Sequence, residues 1–196
     1  MISFLVILML LYFIKEQFSY GAVNKVTYYF LPLFSLLQVA FHFHYSRNNL
    51  VVLLFCFLTG SLVGYYQAKH AKIRQHLIPV YVYFEENGKK KNIYKNQVAV
   101  RGGTHYLIGW CIIFAIQLAI QLILTANKVQ LGSTLYEELL EDLFSIYRLQ
   151  DFEKGAQNWF TWSLYGFSSL SYLLYLCKRN IAVKEILFHT NKEIIE

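Results

Sequence analysis

The chain has 196 residues, a length typical of one domain, and 56% of them are hydrophobic while only 15% are charged. An ordinary soluble domain carries about 25% charged residues. The apolar residues also form runs of about 20 residues, the length that crosses a bilayer, instead of the periodic stripes of a soluble core. This composition excludes soluble enzyme folds. The net charge of +6 comes from basic residues between the apolar runs, so we expect no nucleic-acid partner.

Five apolar runs predict five transmembrane helices in a single membrane domain, 1–196. Four of the runs reach the required length: 26–45, 50–68, 105–126 and 158–177. The first run, within 1–20, is shorter, and it spans only if Lys15 reaches back to the interface or the helix is tilted. A cleaved signal peptide is disfavoured there, because no basic stretch precedes the run and no small-residue cleavage pattern follows it. The predicted fold is an all-α five-helix bundle, or four spans plus one short helix.

The distribution of Lys and Arg predicts the orientation of this bundle. Cytoplasmic loops carry these residues in excess. Fourteen of the eighteen lie in 15–25, 69–104 and 178–196, and the other four lie in 46–49 and 127–157. With five spans, all fourteen fall on one side of the membrane. We therefore expect a multi-pass protein of the cell membrane with its N-terminus outside and its C-terminus in the cytoplasm.

A cytoplasmic β-hairpin is predicted at 79–100, between the third and fourth spans. Asn87-Gly88 is the dipeptide that favours a two-residue type I′ turn. This turn sets four predicted cross-strand pairs: Glu86–Lys89, Glu85–Lys90, Val82–Ile93 and Tyr81–Tyr94. A lone two-stranded hairpin is only marginally stable in water. We therefore expect the hairpin to rest on lipid headgroups or on a partner, and a stiff connector that carries basic residues remains the alternative.

The hairpin and its junction with the fourth span are the predicted docking element for a partner or for lipid. The predicted docking residues are Lys89, Lys90, Lys91, Arg101, Gly102 and Gly103. The three lysines follow the turn, where they can reach anionic headgroups or an acidic protein. The two glycines permit a sharp exit into the next span.

The acidic loop at 127–157 predicts an external amphipathic helix at 134–152. Thr134 and Glu137 have the spacing of a capping box, and apolar residues recur after them at helical spacing. Such a helix would lie along the outer membrane surface or cover the mouth of the bundle.

Polar and small residues inside the spans predict packing and an alternative ligand site. Gly60 and Gly64 form a small-xxx-small pattern that lets two helices approach closely, and the fourth span is the most economical partner. An intrabundle site for a lipid or haem, the alternative interpretation, would be lined by four glutamines: Gln38, Gln67, Gln117 and Gln121. Such amides otherwise act as hydrogen bonds between helices.

Cysteines and histidines show no metal-ligand spacing. Each cysteine lies inside an apolar run: Cys56, Cys111 and Cys177. His42 and His44 point about 200° apart on a helix, so they cannot form one bidentate site. A single axial haem ligand from His42, His44 or His105 remains open beside the interpretation of interfacial imidazoles. We predict no catalytic residue, no metal and no cofactor.

The central region, 55–125, resembles the small CcdC-like multi-pass membrane proteins. The similarity is carried by Gly60-x-x-x-Gly64-x-x-Gln67, by the basic segment and hairpin, and by Val98-x-Val100-Arg101-Gly102-Gly103-x-x-Tyr106-Leu107-x-x-Trp110. Several of these proteins are encoded beside genes for cytochrome c maturation. The resemblance implies a membrane protein associated with that process, and it brings no catalytic residue to this chain.

Two functions follow from these patterns. The first is a non-enzymatic membrane accessory protein, an assembly, maturation or sensing factor that acts through a membrane-protein partner or a second copy of itself. The alternative is a transporter or a membrane protein that binds a small ligand. The absence of buried charge and of metal-ligand spacing in the sequence favours the first, and the four glutamines would line the ligand site of the second.

Overall fold

The computed structural model describes residues 11–86, 89–124, 159–188 and 194–195. Residues 11–17 are helical, and they are followed in chain order by β1 (Gly21–Ala22), α1 (Lys25–His42), α2 (Arg47–His70), β2 (Lys72–Glu86), β3 (Lys89–Arg101), α3 (Gly103–Leu124), α4 (Trp159–Arg179), α5 (Ile181–Phe188) and β4 (Ile194–Ile195). The external helix expected at 134–152 and the first half of the run within 1–20 lie outside the described residues.

The described residues are mostly helical, with one small sheet. Two helical segments are long and apolar enough to cross a membrane, Arg47–His70 and Gly103–Ile120. On α2, Leu54, Leu58 and Leu62 recur every four residues and are 60%, 53% and 67% exposed. Residues with this spacing share one face of a helix. A row of exposed leucines suits hydrocarbon better than water.

Asparagine side chains cap the N-termini of two helices. The Asn24 Oδ1 accepts a hydrogen bond from the Val26 N–H at 3.2 Å, which satisfies one of the unpaired donors at the start of α1. The Asn180 Oδ1 accepts from the Ala182 N–H at 2.9 Å, so the chain turns from α4 into α5 after one residue. Both caps lie at the end of the helices where the sheet is found.

Helix α4 packs between α1 and α2. Against α1, ring contacts join Phe43 to Trp159 and Phe34 to Trp162, which makes the two helices antiparallel. Against α2, a Cβ added to Gly60 would lie 3.0 Å from the Leu164 carbonyl oxygen. The two backbones therefore meet directly. The glycine pair packs on α4 and not on the helix predicted at 105–126, because the backbone of α4 at Leu164 and Ser168 lies against it.

Strand β3 is the centre of the sheet. It pairs antiparallel with β2 along nearly its whole length, and its other edge pairs with β1 and β4. On one side of the sheet, Val98 and Val100 are buried against Val183 and Leu187 of α5. The sheet therefore shares a core with the helix ends.

The register of the hairpin differs from the sequence prediction beyond its first pairs. Glu86 faces Lys89 and Glu85 faces Lys90, as expected from the turn. The pairing then shifts between Val80 and Phe84, so that Ile93 faces Val80 instead of Val82. By the same shift, Tyr94 faces Pro79 instead of Tyr81. A bulge adds unpaired residues to one strand, and a turn sets the register only as far as the first bulge. The paired strands also extend beyond 79–100, from Lys72 to Arg101.

The three segments that together hold fourteen of the eighteen Lys and Arg residues, 15–25, 69–104 and 178–196, meet at the sheet. The Val23 N–H donates to the Val98 carbonyl oxygen at 2.8 Å, which joins the first segment to β3. The Arg179 Nη1 donates to the carbonyl oxygens of Ala68, Lys69 and Ala71 at 3.0, 2.7 and 2.9 Å. This guanidinium closes the C-terminal end of α2, where carbonyls lack helical partners and the helix dipole favours a cation.

Candidate functional site: the junction between helices and sheet

A cavity of about 490 Å³ lies where the helices meet the sheet, and we call it the junction chamber. Aromatic rings, small polar groups and aliphatic side chains line it. The lining includes Glu16, Gln17, Ser19, Thr27, Tyr28, Gln67, Tyr106, Trp110, Tyr165, Ser168, Ser169 and Tyr172, together with backbone at Gly21 and Gly102. Among the described lining residues, Glu16 is the one charged side chain. The chamber therefore suits a neutral group that can accept or donate hydrogen bonds and stack on aromatic rings.

Gln67 forms a buried polar link across the chamber wall. It is 5% exposed, and its Nε2 donates to the Tyr106 carbonyl oxygen at 3.0 Å. The contact is possible because Gly109 has no side chain: a Cβ there would lie 2.6 Å from the Gln67 Cγ. The sequence pattern marked Gln67 as polar but did not indicate Gly109 as the residue that admits it.

Three tyrosines pack together on one side of the chamber. The rings of Tyr28 and Tyr172 are stacked with centroids 6.4 Å apart, and Tyr106 meets Tyr172 edge to face at 5.8 Å. These residues come from α1, α4 and α3, so the cluster ties three helices together. A tyrosine combines a large apolar ring with a hydroxyl group that usually forms a hydrogen bond when it is buried. The sequence motif included Tyr106, but no spacing indicated that the three tyrosines meet, since they are distant along the chain.

The other predicted glutamines are not among the described residues that line the chamber. Gln117 is fully buried in α3, eleven residues beyond Tyr106, which is about 16 Å along a helix. Gln38 is buried near the end of α1 that is remote from the sheet. The side chain of Gln121 lies outside the described residues. The structure therefore does not bring Gln67 together with Gln117 in one site.

Two histidines and a tyrosine form a second polar cluster beside the chamber. The rings of His70 and His105 are stacked at 4.2 Å with an interplanar angle of 22°. The Tyr66 Oη is hydrogen-bonded to the His105 Nδ1 at 2.8 Å, and the His70 Nδ1 to the Tyr66 carbonyl oxygen at 2.9 Å. Sequence reasoning considered His105 but missed His70, because their proximity depends on the hairpin that returns the chain to α3.

Two further histidines, His42 and His44, are hydrogen-bonded to nearby backbone carbonyl groups. The His42 Nδ1 is hydrogen-bonded to the Gln38 carbonyl oxygen at 3.0 Å, and the His44 Nδ1 to the His42 carbonyl oxygen at 3.1 Å. Within the part of the chain that the structure describes, no group of three or more His, Cys, Asp and Glu side chains could hold a metal ion.

The docking residues divide between the hairpin and the junction. Lys89, Lys90 and Lys91 begin β3, opposite Glu86, Glu85 and Phe84, and their side chains lie outside the described part. Gly103 has a φ of 66°, a backbone conformation that favours glycine. A Cβ on Gly102 would lie 2.6 Å from the Tyr106 Cβ. Both glycines are therefore needed for the entry into α3.

No protein-family model matches the chain, and neither the curated proteins nor the solved structures contain a match. The similarity of 55–125 to CcdC-like proteins therefore stays a prediction from the sequence.

Proposed function

We propose that the chain is a non-enzymatic, multi-pass membrane accessory protein whose cytoplasmic hairpin docks a partner. Its membrane domain is a five-helix bundle, or four spans plus a short first helix. The resemblance to CcdC-like proteins makes cytochrome c maturation the first process in which to search for the partner, with an assembly or sensing role. The observation that carries the proposal is the hairpin, since it is more extended than a connector between two spans requires.

The hairpin is built as an arm. Lys72 and Glu86, the ends of β2, are separated by fourteen residue steps, which is about 45 Å in an extended strand. The connection between α2 and α3 has to travel only from His70 to Gly103, and these residues lie at the same end of the helices. The far end of the hairpin carries charged residues of both signs: Glu85, Glu86, Lys89, Lys90 and Lys91. An arm of this kind can reach a partner protein beyond the headgroup layer.

The proposed topology is supported by where the basic segments lie. The residues around β1, the sheet and the end of α4 are all at one end of the helices, and they contain most of the Lys and Arg residues. Positive residues on one side are typical of the cytoplasmic face. We therefore propose a cytoplasmic hairpin and C-terminus, with the N-terminus outside.

The docking proposal is tested by co-purification. The full chain would be purified in mild detergent as wild type and as the variant Lys89→Gln, Lys90→Gln, Lys91→Gln, and co-eluting proteins identified by mass spectrometry. A matched control removes three charges elsewhere at the same end, with Lys69→Gln, Lys178→Gln and Lys184→Gln. We expect the hairpin variant to lose the partner and the control to keep it. Equal retention by both variants would refute docking through the lysines.

The topology is tested by labelling. A cysteine introduced at position 87 is expected to react with an impermeant maleimide only after the cells are opened, whereas one at position 47 reacts in intact cells. The wild-type chain, with its own three cysteines, sets the background. Reaction at position 87 in intact cells would reverse the orientation.

The junction chamber favours a second candidate, a membrane protein that binds a small neutral amphipathic molecule. Its volume and its aromatic and hydroxyl lining are the specific observation. Gln67→Leu changes a lining residue, while Gln117→Leu changes a buried glutamine that is not part of the described lining. If a co-purifying small molecule is lost with Gln67→Leu and kept with Gln117→Leu, the chamber is its site. If neither change alters what co-purifies, this second candidate fails.

A further inference from the structure

One side of the sheet near the helix ends is basic, and we call it the basic face. Lys72 lies opposite Arg101 and Arg74 lies opposite Ala99. Opposite residues, and residues two apart on one strand, point to the same side of a sheet. Lys72, Arg74 and Arg101 therefore share this face. The other side carries the apolar residues that pack on α5, so the two sides of the sheet have different chemistry.

An aromatic ring holds the two arginines of the basic face. The Arg74 Cζ lies 4.3 Å from the centroid of the Tyr20 ring, and the Arg101 Cζ lies 5.9 Å from the same centroid. The Phe18 ring is 5.6 Å from the Arg101 Cζ. A guanidinium over a ring face is held by cation–π attraction, while the N–H groups at its edge remain able to donate. Both side chains are thus oriented without using their hydrogen-bonding edges.

Neither guanidinium is neutralised by a carboxylate among the described residues; ring contacts are their only interactions there. Arg74 is exposed and Arg101 is half-buried. Two planar cations whose N–H groups have no partner among the described residues form a site for a phosphate, whose oxygens match the fork of a guanidinium.

The basic face lies at the level of the helix ends. Lys72 follows the end of α2 by two residues, and Arg101 precedes the start of α3 by two. In a bilayer, the polar headgroup region extends about 5 to 7 Å beyond the hydrocarbon core on each side. Residues that follow a spanning helix so closely lie among the lipid phosphates. Tyrosines such as Tyr20 are also enriched at this depth.

The geometry points to a binding site for the phosphate of an anionic phospholipid headgroup, formed by Arg74 and Arg101 on Tyr20 with Lys72 beside them. This inference rests on the proposed membrane insertion of the helices. The lipid would hold the base of the hairpin against the inner leaflet, so that the arm leaves the membrane in a defined direction. It deepens the docking role by giving the arm a lipid-dependent anchor.

Native mass spectrometry of the full chain in detergent tests the site. The protein would be titrated with phosphatidylglycerol and, separately, with phosphatidylcholine. A basic residue near an anionic surface contributes about fivefold in affinity, so Arg74→Gln with Arg101→Gln should weaken phosphatidylglycerol binding about thirtyfold. The matched control, Lys69→Gln with Lys178→Gln, removes the same charge away from the basic face and should leave the affinity nearly unchanged. Equal loss in both double variants, or no loss in either, overturns the site.

A second variant keeps the test valid if the glutamine variant does not fold. Arg74→Lys with Arg101→Lys retains the charge but replaces the planar fork with a point charge. We expect it to fold and to bind phosphatidylglycerol several-fold more weakly than wild type. Wild-type affinity in this variant would overturn the proposed role of the guanidinium geometry.

Further arms identify the source of the phosphate. Soluble glycerol 1-phosphate should not displace the lipid at millimolar concentration, and displacement would assign the site to a free metabolite instead. Tighter binding of an acidic peptide than of phosphatidylglycerol would assign it to a protein.

Extraction of membranes with alkaline carbonate tests insertion separately. Release of the chain by carbonate refutes the membrane proposal, whereas a retained chain with no lipid preference refutes only the headgroup site.

Discussion

The seam between α2 and α4 and the junction near the sheet hold the molecule together by different means. In the seam, Gly60 and Gly64 let two backbones touch, and a Cβ on Gly64 would collide with the Ser168 carbonyl oxygen. In the junction, specific hydrogen bonds join elements distant in sequence, as Arg179 does with the end of α2. The seam requires glycines without side chains, and the junction requires donors and acceptors at hydrogen-bonding distance.

This difference has a physical basis in the proposed bilayer. Lipid tails are as apolar as leucine, so helices inside the membrane gain little from burying apolar surface and associate mainly by close packing. At the headgroup level, backbone groups at helix ends need partners, and side chains such as Gln67 and Arg179 can supply them. The seam should therefore tolerate no added volume, while the junction should lose stability in small steps.

Gly64→Leu tests the seam and should have the largest effect. The leucine side chain has to push α4 away from α2, which we expect to cost about 3 kcal/mol of stability. The measurement is thermal unfolding in detergent. Leu62→Ala is the control, because Leu62 is 67% exposed on the same helix and should change the melting temperature little. A Gly64→Leu protein that melts like wild type would mean that the two helices are not in backbone contact.

Arg179→Gln tests the junction at its most connected residue. The guanidinium donates to three carbonyl oxygens at the end of α2. Loss of these charge-assisted bonds should cost about 2 kcal/mol. Lys178→Gln, which removes the neighbouring exposed charge, serves as the control in the same unfolding measurement. Equal melting of the two variants would show that net charge matters and the hydrogen bonds do not.

Gly103→Ala tests the entry into α3 and should cost about 1 kcal/mol, since a residue with a side chain is strained in the left-handed conformation. The φ of Gly103 is 66°. Gly21→Ala is a fitting comparison, because its added Cβ would meet only the Val100 carbonyl oxygen at 3.9 Å. We expect that variant to unfold at the wild-type temperature. If Gly103→Ala does so too, the entry into α3 adopts another conformation.

Gln67→Leu should have the smallest effect, about 0.6 kcal/mol, the average for a hydrogen bond between helices in a membrane. It removes the bond from the Gln67 Nε2 to the Tyr106 carbonyl oxygen. Unfolding in detergent measures it, with the exposed Gln75→Leu as control. A loss larger than that of Gly64→Leu would reverse the comparison, making the junction and not the seam the main source of stability.

Features with a local cause could be predicted from the sequence, and the hairpin shows where such prediction ends. The Asn-Gly dipeptide predicts the pairs Glu86–Lys89 and Glu85–Lys90, because residues next to a two-residue turn have no freedom to slip, and both pairs are observed. Beyond Phe84 the register depends on a bulge, and nothing in the alternating pattern of β2 indicates its position.

The apolar helices, the concentration of Lys and Arg in three segments and the close-packing glycines could be predicted from composition and from spacing within one element. Three contacts became evident only from the folded chain: Gly60 packs on α4, Gln67 binds Tyr106 and not Gln117, and His70 stacks on His105. It also placed Tyr20 between Arg74 and Arg101. These contacts join residues from different elements, and their energies depend on distances that no periodicity along the chain encodes.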